Sequence, residues 1–247
     1  MRVVLGIVAG LALLACAIVA LAPAAVLDPL VASRSEARVR LADASGLWWR
    51  GDGVVASTDS QARMPIAWHV HLLPLLRARL VVELVPARAG MPSGTLAVAR
   101  GDVEAHALQV TLPASVLPAF VPALSTVTPG GDVEVTSTSF RWRAAHADGR
   151  LDVVWRDARL ALVGFPISLG TVRGAASGTA EGIEGTFENR GGELGARGTW
   201  AMRGDAVEGV TTLTPTSATP AALRAVLPML GKRADDGSVR VEWRGRR

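Results

Sequence analysis

The segment SVRVEWRG, residues 238–245, alternates Val239, Val241 and Trp243 with Arg240, Glu242 and Arg244. A period of two is the mark of a strand with one face buried and one in water, and it recurs along the chain. In RLVVELV (79–85), Leu80, Val82 and Leu84 share a face. In GRLDVVWRDARLALVG (149–164), Leu151, Val153 and Trp155 keep one phase while Ala158 and Leu160 keep the other. That switch predicts a bulge or tight turn near Arg156 and Asp157. Glycine-rich punctuation (GDG, RGD, PGGD, ADGR, RGGE, RGD, DDGS) separates the alternating runs, which predicts about a dozen short strands joined by tight turns. Two segments read as helices, PASVLPAFVPALS (113–125) and TPAALRAVLPML (219–230), each with Pro near its first turn. The expected fold is mainly β: an extended, curved antiparallel meander sheet carrying two short helices.

A different pattern precedes it. From Val3 to Leu27 no residue is charged, and 25 residues at the helical rise span a bilayer core of about 30 Å. A membrane anchor over residues 1–28, with Val3, Leu5, Ile7, Leu11, Leu14, Ile18 and Leu21 facing lipid, and a β-rich domain over 29–247 are therefore expected. A cleaved leader is the competing reading, since Ala20-Leu21-Ala22 is an acceptable cleavage site, but Pro23 would then be the first mature residue, which is disfavoured. The apolar residues after Cys16 do not make the polar tether of a lipoprotein, so Cys16 reads as a small membrane residue. Arg34, Arg38 and Arg40 follow the anchor and oppose an external domain on the positive-inside count. The absence of any cysteine after Cys16 suits an oxidising periplasm.

Self-similarity suggests a duplication. Gly94-Thr95 matches Gly198-Thr199, Arg100-Gly101-Asp102 matches Arg203-Gly204-Asp205, Pro113-Ala114 matches Pro220-Ala221, and Gly131 matches Gly237, at offsets of 103 to 107 residues. Two strand–turn–strand–helix–strand units, 93–136 and 197–242, would produce this spacing. Chance similarity among Ala-, Gly- and Arg-rich strands is the other account.

Chemistry is sparse. There is no nucleophile elbow, phosphate loop, cysteine pair or dinucleotide fingerprint, so no catalytic residue and no cofactor are expected. The calculated pI is 10.7, yet the net charge is only +4, and Lys232 is the one lysine among 26 basic residues. Acids are interleaved with the arginines and no basic stripe forms, which excludes nucleic acid as a partner. In WHVHL (68–72), His69 and His71 lie two apart, so on a strand both rings project from one face, the spacing several metal sites use. His106 and His146 are further ligands only by elimination, and no carboxylate cluster accompanies them, so these read as ordinary strand histidines and no metal is expected. Asp132, Asp148, Asp205, Asp235 and Asp236 sit beside or near glycine and read as turn residues.

The seven tryptophans fall in different predicted strands, several beside arginine, and most are expected in the core. Trp48 and Trp49, in ASGLWWRGDG (44–53), cannot share a face of one strand. One ring is therefore expected in the core and the other on the opposite surface, so that Trp48, Trp49 and Arg50 form a membrane-proximal or partner contact near the anchor.

The anchor, the ASGLWWRGDG element, MPIAWHVHLLPLLRARLVVEL (64–84) and PAALRAVLPMLGKRADDGSVRVEWRG (220–245) together resemble type II secretion system protein N, the general secretion pathway protein N family (GspN). The family carries a Gly-x-x-Trp-x-Gly element at the first position and a Trp-bearing segment leading into Leu-Leu-Arg-x-x-Leu at the second. The resemblance runs the length of the chain. It implies a non-enzymatic accessory of the secretion system, anchored in the inner membrane with its β-rich domain in the periplasm, and with other secretion-system components as partners. An AsmA-like protein that handles lipid on an apolar sheet face is the alternative.

Overall fold

The computed structural model describes residues 20–35, 37–58, 63–88, 90–117, 128–143, 146–162 and 165–246. Fourteen strands make one antiparallel sheet. Its first six are β1 Val39–Leu47, β2 Arg50–Ser57, β3 Arg63–His71, β4 Leu80–Leu84, β5 Ser93–Ala99 and β6 Asp102–Pro113. Then come β7 Gly130–Arg143, β8 His146–Leu162, β9 Phe165–Thr179, β10 Gly182–Arg190, β11 Leu194–Arg203 and β12 Ala206–Pro215. Each pairs with its successor. The order changes once, where β14 (Val239–Arg246) pairs with β12 and the short β13 (Lys232–Arg233) lies outside it. Among the described residues the first and last strands of the order do not pair, so the sheet is open.

The strands are longer than the sequence pattern suggests, because several turn signals lie inside them. β8 has 17 residues and runs through Ala147-Asp148-Gly149-Arg150. Gly51-Asp52-Gly53 is interior to β2. There Gly51 faces Trp68, whose Cζ2 would lie 2.9 Å from an added Cβ. Glycine serves here to admit the Ser45 carbonyl of β1 on one side and the Trp68 indole of β3 on the other, not to bend the chain. The same device recurs where Trp200 covers Gly185 and Trp243 covers Gly209. Aromatic rings over cross-strand glycines restore the packing that the missing side chain removes. Arg100-Gly101-Asp102 and Arg203-Gly204-Asp205 do turn, between β5 and β6 and between β11 and β12. The phase switch in β8 is a bulge, with Asp157 at φ 49° and the register shifting between Trp155 and Ala158.

Short helices occur at both expected places. Ala114–Val116 is a 3-10 turn after Pro113, and residues 118–125 of that segment lie outside the described residues. Ala221–Val226 is an α-helix with Pro220 as N-cap, followed by the 3-10 turn Leu227–Met229. Leu223 and Leu227 from this element bury themselves against Leu194 and Val239 of the sheet. In the turn before β14, the hydroxyl and N–H of Ser238 donate to the Asp236 carboxylate and hold its pKa below the ordinary value.

Residues 1–19 of the apolar N-terminal run lie outside the described residues. Among those described, no helix is long and apolar enough to cross a membrane. The end of the run belongs to the sheet: Pro23 bridges to Leu47, Ala24–Val26 is a 3-10 turn with Ala24 buried, and helix Leu27–Arg34 packs on β1. The side chain of Arg40 and the backbone N–H of Leu41 both donate to Asp28, locking that helix to the edge strand.

Candidate functional site

Trp48 and Trp49 are the two turn residues that connect β1 to β2, where Leu47 pairs with Arg50. The expectation that the two belong to a strand is corrected by this position. In the turn both rings, half-buried, adjoin the cluster of Ala24, Leu41, Trp68 and Val70, and Trp49 also lies against His69, with ring centroids 6.2 Å apart. Arg50 is exposed at the start of β2. The turn grips the chain where it leaves the apolar run. Trp48 N–H donates to the Ala22 carbonyl at 3.1 Å, and Trp49 Nε1 donates to the Ala20 carbonyl at 2.9 Å. From behind, Trp68 Nε1 donates to the Trp48 carbonyl at 2.9 Å, and the Val70 N–H donates to the Trp49 carbonyl at 2.6 Å.

Alternate turns of an up-and-down sheet lie at the same end. The connection Leu72–Arg79 between β3 and β4 therefore shares its end of the sheet with Trp48 and Trp49. It opens with one helical turn, Leu72–Leu75, and leaves Leu73 80% and Leu76 85% exposed. Arg77 is exposed beside them.

The two strand histidines lie on the sheet face opposite to Trp68 and Val70. In register His69 faces Glu83 of β4 and His71 faces Val81. His71 Nε2 lies 3.2 Å from Glu83 Oε2, and the rings of His69 and His71 stack with centroids 5.0 Å apart. One donor atom from each of His69, His71 and Glu83 lies within 4.8 Å of the other two, the arrangement among the described residues that could hold a metal ion. The carboxylate that the sequence does not show beside the histidines is thus supplied by the neighbouring strand. His106 is not part of the group. It pairs with Glu104, which is nearly buried and also receives Arg79 at 2.7 Å and Arg141 at 3.0 Å. His146 lies at the start of β8, opposite Arg143.

A cleft of about 910 Å³ opens over Trp200 and Trp243. Arg150, Glu184, Arg203, Glu208 and Arg244 contribute to its lining beside Val210 and the two indoles.

Comparison with known proteins returns one family. The model for "Type II secretion system (T2SS), protein N" matches residues 37–242, from just before β1 into β14. No curated relative and no solved structure shows significant similarity to the chain.

Proposed function

Because the chain belongs to the type II secretion system protein N family, we propose that it works as a non-enzymatic accessory of that system. In this reading it is held at the inner membrane by its N-terminal apolar segment, with the sheet in the periplasm beside other secretion-system subunits. The observation that carries the proposal is the family match, which spans the sheet from its first strand into its last.

Two features of the fold support the docking part. One edge of the sheet is occupied, since Ala20–Arg34 lies along β1 and the adjoining turn. The other is open: β13 pairs only with Val239 and Arg240 of β14. From Val241 onward, β14 has no strand on its outer side among the described residues. An unpaired edge accepts an extended segment of another protein by strand addition. Deleting the coding sequence in the host tests the role. Secreted enzymes are expected to accumulate in the periplasm and to return to the medium on complementation, whereas normal secretion in the deletion strain would refute it.

The membrane part rests on the end of the sheet that holds Trp48, Trp49 and Arg50. Trp48 and Trp49 tether Ala22 and Ala20, where the uncharged run arrives. Leu73 and Leu76 project at the same end with Arg77 beside them, the amphipathic combination that settles at a headgroup layer. Full-length protein in vesicles checks this. With Cys16 replaced by serine, a polarity-sensitive dye on Leu73→Cys or Leu76→Cys is expected to shift to the blue and be quenched by headgroup-labelled lipid. A dye on Asp235→Cys, in the turn before β14, should keep the emission of water, and equal emission at all three sites would contradict the orientation.

A further inference from the structure

We propose that His69, His71 and Glu83 form a binding site for a borderline divalent transition-metal cation, zinc foremost, with solvent completing the coordination. The proposal stands on the sheet register and is independent of the secretion reading. His69 and His71 are two apart on β3, so both rings rise from one face, and Glu83 on β4 is the direct cross-strand partner of His69. Three successive ladder pairs, His69 with Glu83, Val70 with Val82 and His71 with Val81, fix the backbone under all three arms.

Two imidazoles and one carboxylate make a donor set that zinc takes readily. The three donor atoms already lie within 4.8 Å of one another. Ligands at zinc's bond lengths stand about 3.3 Å apart in a tetrahedron, and His71 and Glu83 are already at 3.2 Å. Closing the remainder takes side-chain rotation alone. The His71 and Glu83 side chains are 43% and 46% exposed, so a cation can enter from solvent and keep water on its remaining position. Trp49 stands against His69 at 6.2 Å between ring centroids and restricts how far that ring can swing away. Glu104 does not compete for the ion, because three cationic or hydrogen-bonding partners already take up its carboxylate. A bound cation ties β3 to β4 on the rungs next to the Leu72–Arg79 connection.

The test uses the full-length, tag-free chain in detergent, stripped with a chelator and titrated with zinc chloride in a calorimeter. One zinc per chain is expected, and His69→Ala, His71→Ala and Glu83→Gln should each weaken binding at least about tenfold. His106→Ala removes another exposed imidazole from the same sheet face and should leave the affinity unchanged. Zinc-edge X-ray absorption on the wild type supplies a readout that no variant's folding can disturb, with two imidazole nitrogens at about 2.0–2.1 Å expected. The site is overturned if the His69→Ala/His71→Ala double variant binds zinc as tightly as the wild type, or if the absorption spectrum lacks imidazole ligands.

Discussion

Trp68→Ala is expected to cost about 3–5 kcal/mol of stability, the range for emptying a buried tryptophan site. Trp68 is 5% exposed and central to the cluster of Ala24, Leu41 and Val70. Its ring fills the space above Gly51, which has no side chain to collapse into the void. The substitution also removes the donor to the Trp48 carbonyl, leaving a half-buried acceptor to find water. The damage should be local as well as global. Trp48 and Trp49 hold Ala20–Ala22, so the amides of Trp48 and Val70 should exchange faster than those of β9 and β10. Trp68→Phe keeps a ring over Gly51 while losing the N–H, and its cost should fall to about 1–2 kcal/mol. Denaturant midpoints and amide exchange measure both. A Trp68→Ala midpoint close to the wild type would show that the ring is not the keystone of this cluster.

The second large effect concerns a glycine. In an unobstructed strand, Gly→Ala gains roughly 0.5–1 kcal/mol because glycine loses most freedom on folding. At Gly185 the sign should reverse. An added Cβ would lie 2.4 Å from Trp200 Cε2, far inside contact distance, so the indole must leave its place against the cluster of Ala105, Phe140, Ala147, Ala176 and Ile183. Gly185→Ala is expected to destabilise by about 2–3 kcal/mol, as overpacking does. Combined with Trp200→Ala the clash disappears, so the double variant should lose less than the sum of the singles, a coupling that a double-mutant cycle reads directly. Additive losses would contradict the pairing of Trp200 with Gly185.

These two predictions show where sequence reading of this chain stops. Glycine was legible as punctuation at Gly101 and Gly204, where the chain does turn with positive φ. Gly51 carries the same local signal yet lies within a strand, because what it makes room for, the Ser45 carbonyl and the Trp68 ring, lies on the two neighbouring strands. Trp48 and Trp49 were legible as an element near the start of the β-rich domain. Their placement followed from a two-residue connection that an assumed strand concealed. His69 and His71 announced themselves by spacing. Glu83, 12 residues further on, became their neighbour only through the pairing of β3 with β4.

The amino-acid sequence by itself determined the strand character of most of the chain, the bulge in β8, the sites of the helices after Pro113 and Pro220, and the family. Each of these is written in local alternation, local turn chemistry or linear motif. The tertiary structure alone decided which glycines bend the chain and which lie under tryptophans, which edge of the sheet is covered, and which carboxylate faces the histidines. Those are matters of register, and register is set by the sum of contacts across many strands. No window of sequence contains that sum.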